Sequence, residues 1–123
     1  MSVTVCSSGK AYLAFLPESE VRAIVERNGL PSMNEHTVTD IDELLDELAE
    51  IRDQGYGIND QEEILGTRAV GAPVHTENEL WGAVSISGPE SRFTFDKLHN
   101  ELSQHVLEAA NIISVNIETI QNR

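Results

Sequence analysis

Ser85 and Ser87 stand two positions apart in the run Leu80-Trp81-Gly82-Ala83-Val84-Ser85-Ile86-Ser87. Side chains two apart in a strand share a face, so both hydroxyls lie beside Ala83 on one side while Val84 and Ile86 lie on the other. A face of small, hydroxylated residues leaves space and offers donors and acceptors to a small polar ligand. The same spacing also serves a one-sided antiparallel sheet whose serines meet water. A second group, Ser7-Ser8-Gly9-Lys10-Ala11, opens an expected helix with small residues, and the free N–H groups of a helix start favour a carboxylate or other anion. It is not a nucleotide-phosphate loop. That motif needs a glycine five residues before the Gly-Lys pair and a Ser or Thr after the lysine, where this chain has Thr4 and Ala11.

The remaining reactive side chains form no catalytic pattern. Cys6 would need a base beside it to act as a nucleophile, and His36, His75, His99 and His105 are scattered. No two histidines fall at a helical i, i+4 step and no His-Glu-x-x-His run occurs, so no catalytic or metal-binding residues are assigned and no cofactor is expected. Cys6 reads as an inert thiol. Asp60, Glu62 and Glu63 read as a solvated turn cluster.

Several elements must position these groups. Thr67–Val74 and Leu80–Ser87 read as a β-hairpin around the polar turn Thr76-Glu77-Asn78-Glu79. Before it, Val3–Cys6 reads as the end of a strand, and Ser7 or Ser8 caps a short helix from Gly9 to Phe15. Pro17 starts a helix carrying Val21, Ile24 and Val25 until Asn28-Gly29 stops it. After an extended piece around His36-Thr37-Val38, Thr39 is the expected N-cap of a helix running to about Gln54. Ile41, Leu44, Leu45, Leu48 and Ile51 form its stripe, Gly55 its stop, and Gly57-Ile58-Asn59-Asp60 a turn. Thr94 caps one long final helix, Phe95 to Gln121, with Leu98, Leu102, Val106, Ala109, Ile113, Ile117 and Ile120 on one face. At ~40 Å such a helix outruns a domain of this size, so part of the stripe is expected to face a partner subunit.

With 123 residues and no linker or repeat, residues 1-123 form one unit. Eight basic against 21 acidic residues give a net charge of −13. A field of that sign repels phosphate backbones and anionic membranes, so neither nucleic acid nor membrane is an expected direct partner. So strong a charge with Lys10 and Lys97 as the only lysines fits a halophilic cytoplasm, where concentrated salt screens self-repulsion. Stability rising steeply with added KCl is the expected result of thermal melts, and full stability in dilute buffer would contradict it. A single cysteine precludes an intrachain disulfide, and no apolar run approaches the ~20 residues that span a bilayer. A cytoplasmic location is the expectation.

In order along nearly the whole chain, these residues resemble the C-terminal effector-binding domain of the isocitrate lyase regulator (IclR) family of transcription factors. The carriers are Ser8-Gly9-Lys10-Ala11-Tyr12-Leu13-Ala14 before Leu16-Pro17, Glu47-Leu48, Ile51-Arg52, Gly55-Tyr56, Glu62-Glu63, Leu65-Gly66 and Arg68. They continue through Val70-Gly71-Ala72-Pro73-Val74, Ala83, Ser85-Ile86-Ser87-Gly88-Pro89 and Arg92. The resemblance implies an α+β, GAF-like sensor: an antiparallel sheet with flanking helices and a long C-terminal helix, incomplete at its N-terminus. It implies a regulator, not an enzyme. A small effector, often an organic acid, would sit over the sheet, and its pocket maps onto Ser7, Ser8, Gly9, Asn59, Thr67, Ala69, Ser85 and Ser87. Relatives often carry aspartate at position 59, so Asn59 removes a charge that would select ligands with hydroxyl or cationic donors. Full-length members begin with a winged helix-turn-helix and further sensor strands that this sequence lacks, so DNA reading would not reside in these residues. An open sheet edge follows, and with it a homodimer or higher homo-oligomer through that edge or the final helix. The competing expectation is an oligomerisation module that binds no ligand.

Overall fold

A computed structural model of the chain describes residues 7–30, 34–62, 64–77 and 79–121. The expected Val3–Cys6 strand, with Cys6, lies outside them. The helix α1 (Ser7–Ala14) buries the small Gly9, Ala11 and Ala14 together with Leu13 and Lys10. The helix touches all three strands of the sheet on one side and α3 on the other. Pro17 N-caps α2 (Glu18–Asn28), with Glu18 and Glu20 in the first turn where the helix dipole favours acids, and Gly29 closes it at φ +73°.

For α3 (Ile41–Gln54) the cap is Asp40, not Thr39: the Asp40 carboxylate accepts the Asp42 N–H at 3.1 Å. Either side chain suits the position, and the backbone conformation selected the next residue. Leu44, Leu48 and Ile51 are buried against Leu13, Ala14 and Val21, and Gly55 ends the helix at φ +90° as expected. The segment before it is a turn and not an extended piece, because Asn34 Oδ1 accepts the His36 N–H at 2.7 Å and Thr37 N–H reaches Asn34 O.

The expected turn at 57–60 is instead β1 (Gly57–Asp60), antiparallel to β2 (Thr67–His75), which pairs in turn with β3 (Leu80–Pro89). Glycine, asparagine and aspartate are poor strand formers, but Ile58 pairs with Val70 and contributes to the core. Gly57 earns its place by proximity: a Cβ there would lie 2.9 Å from Ile51 Cδ1. The hairpin forms as expected, with Ala69 opposite Ser87 and Gly71 opposite Ser85, and extends to Pro89. Val70, Ala72 and Val74 point to one face and make the second core with Leu98, Leu102, Val106 and Ala110, flanked by Val84 and Ile86.

Thr94 caps the final helix through its Oγ1, which accepts the Lys97 N–H at 3.2 Å. That helix is not uniform. A short α-helical start, α4 (Phe95–Lys97), leads into a π-helical turn (Leu98–Leu102) and then α5 (Ser103–Gln121). Val106 is buried as expected, Ala110 rather than Ala109 takes the next buried position, Ile117 still packs on the core, and Ile113 and Ile120 are exposed along with Ile112 and Val115. No described helix is long and apolar enough to cross a membrane.

Candidate ligand-binding site

Cross-strand partners share a face of a sheet. The register aligns Asn59, Ala69 and Ser87 in one row and Gly57, Gly71 and Ser85 in the next, with Thr67 two residues from Ala69 on the same side. Five of the eight sequence-assigned residues, Asn59, Thr67, Ala69, Ser85 and Ser87, thus share one face, opposite the face that packs on α5. This is the face that α1 crosses. Ser7 and Ser8 begin that helix and Gly9 is buried in its first turn.

The chemistry of the five differs. Asn59 is buried, and its Oδ1 accepts the Glu62 N–H at 2.9 Å, which ties its side chain to the following turn. Ala69 is buried and supplies only shape. Thr67 is half-buried, and Ser85 and Ser87 are exposed on β3, whose outer side carries no described strand. The two hydroxyls are accessible, and no bulky residue stands in their rows. A cavity of about 460 Å³ lies elsewhere, between the end of β2 and α5, and none of the eight residues lines it.

The structure also corrects the reading of the acids. Glu62 is buried, and Lys10, with no exposed surface, bonds both Glu62 and, at 2.7 Å, Glu47 of α3. Burial raises the Glu62 carboxyl above the ordinary glutamate range, against the pull of the Lys10 ammonium. Asp60 is paired with Arg68 at 2.8 Å; burial pushes its carboxyl up, but hydrogen bonds from Arg68 and Gln61 and the Arg68 charge outweigh that and leave it lowered. Glu63 lies outside the described residues. Lys10 thus fastens α1, which opens the candidate site, to the turn after Asn59, which lines it. Nothing local in the sequence signals a contact between residues 52 positions apart.

Comparison with known proteins identifies the fold and the family. Residues 1–115 match the family model "Bacterial transcriptional regulator IclR C-terminal". A Halobacterium salinarum protein described as "Probable HTH-type transcriptional regulator ArcR" is 40% identical over 114 residues, 92% of this chain and 43% of the relative. The C-terminal domain of Escherichia coli KdgR superposes with a TM-score of 0.83 at 32% identity, covering 92% of this chain and 69% of that one. The inducer-binding domain of Acinetobacter PobR, solved as a double mutant with 3-hydroxybenzoic acid, has the same fold at a TM-score of 0.86 and 23% identity, over 93% of this chain and 66% of that one. The chain thus spans less than half the length of the curated relative. The expected α+β architecture, with three antiparallel strands, flanking helices and a long C-terminal helix, is the one observed. The chain belongs to the IclR family of transcriptional regulators, a non-enzymatic family, and corresponds to its C-terminal, effector-binding domain.

Proposed function

We propose that the chain senses a small organic acid, held over the sheet face of Asn59, Thr67, Ala69, Ser85 and Ser87 and anchored through its carboxylate at Ser7, Ser8 and Gly9. The carrying observation is the two-row register, which gathers small and hydroxylated residues on the face opposite the α5 core. Backbone N–H groups at the start of α1 suit an anion, and the serine hydroxyls donate to or accept from further ligand oxygens. The 3-hydroxybenzoic acid complex of PobR is a precedent of this chemistry in a protein of like fold. Occupancy would shift the populations of subunit arrangements and so the DNA affinity of a winged helix outside this chain. A cytoplasmic, salt-rich setting fits the acidic composition.

The test is a thermal-shift screen with small carboxylates. A saturating shift that is lost in the Ser85→Val/Ser87→Val double variant supports sensing; because both residues are exposed, the variant should keep its fold. No shift with any acid favours the second reading, an oligomerisation module without a ligand. That reading draws on the outer side of β3, beside which no described strand lies, and on the exposed Ile112, Val115 and Ile120 of α5. On either reading a homodimer or larger assembly is expected, and a monomeric mass by light scattering at micromolar concentration would contradict it.

A further inference from the structure

We propose a second small-molecule site, for a planar aromatic ammonium, in the cavity that opens where β1 stops. The β1 pairing reaches no further than Gly57 opposite Gly71, so residues 73–75 of β2, paired with β3 on one side, run on with no described strand on the other. No described residue fills this space, because α3 turns away at Gly55, where φ is +90° and a Cβ would meet Leu107 Cδ2 at 3.4 Å. What remains is a cavity of about 460 Å³ bounded by four separate elements: the end of α1, the end of α3, the end of β2 with its turn, and one face of α5. That volume falls within the range of sites that enclose small ligands.

The lining dictates the ligand class. The Phe15 and His75 rings stack with centroids 5.7 Å apart and planes 19° from parallel, and both line the cavity, with Leu107 and Pro73 as further apolar lining. Its carboxylates only accept. Glu77 and Glu118 contribute carboxylates, and the Ser114 hydroxyl already donates to Ala110 O at 2.8 Å, which leaves its lone pairs free to accept. No lysine or arginine lines the cavity. A flat ring carrying a protonated amine satisfies both features, since the ring stacks and the ammonium donates to the carboxylates, and the net charge of −13 draws cations towards it. An organic acid, the ligand class proposed for the face with Ser85 and Ser87, is repelled here, so the two sites select opposite charges.

The probe is tyramine, titrated into the ¹⁵N-labelled full chain and followed by NMR, with p-cresol and 4-hydroxyphenylacetate as its neutral and anionic counterparts. Saturable shifts are expected at the amides of Gly55, Asn111 and Ser114 and not at Ser85 or Ser87. Glu118→Gln, at an exposed position, should weaken tyramine by about tenfold while leaving p-cresol unchanged. Ser114→Trp should fill the cavity and abolish binding; if it unfolds the chain, the Glu118→Gln comparison decides alone. Shifts that never saturate or that map elsewhere, tyramine affinity indifferent to Glu118→Gln, or equal binding of the anionic analogue would overturn the proposal.

Discussion

Lys10→Met should lower the unfolding free energy by about 3–5 kcal/mol, the cost of stripping one partner from a buried ion pair. Lys10 has no exposed surface, and Glu62, its closest partner, keeps only 6% of its side-chain exposure. Removing the ammonium leaves the Glu62 carboxylate in a site that already disfavours its charge, with Glu47 adding like charge nearby. The sign of the pH dependence follows. Without Lys10 the Glu62 carboxyl rises further above its unfolded value, so acidification protonates it preferentially in the folded state and the variant recovers part of the loss as pH falls towards 4.5. Urea titrations of both proteins across that range measure it, and Lys10→Met/Glu62→Leu should regain much of the deficit. A loss below about 1 kcal/mol at neutral pH would mean that the three charges are solvated.

The second large effect separates two residues that the sequence places on one stripe. Leu98→Ala should cost about 2–5 kcal/mol, since Leu98 is fully buried among Val70, Leu102 and Val106. Ile113→Ala in the isolated subunit should cost about 0.5 kcal/mol or less, because 38% of Ile113 is exposed. Denaturant midpoints of the two variants at low protein concentration give the comparison. Equal losses would show that Ile113 shares the core.

The final helix marks where sequence reasoning stops. Periodicity locates a helix well, yet after Val106 a step of three or of four residues continues the same stripe, so Val106 is placed correctly and Ala109 is not. The hairpin was legible because alternation and a polar turn fix its register, and α3 because its leucines, acids and Gly55 agree. β1 was not, since Gly57, Asn59 and Asp60 carry turn chemistry and owe their strand to Ile58 and the neighbour at Val70. The site shows the same division. Residues on one strand, such as Ser85 and Ser87, could be grouped by parity, whereas the row joining Asn59, Ala69 and Ser87 depends on a third strand the sequence hid. The pairing of Lys10 with Glu62 was not legible, because burial and contact across the fold leave no local trace.

β3 has one further consequence. Its ten residues include no charged side chain, although the chain as a whole is strongly acidic, so nothing on that strand repels an incoming backbone. The same strand displays the two serines. A metabolite resting on those hydroxyls and a polypeptide laid alongside would be neighbours on one ribbon, and reciprocity then requires that whatever factor the first imposes on the grip of the second is returned in equal measure. Titrating assembly would thus also titrate metabolite, with a single strand serving as both reader and clasp.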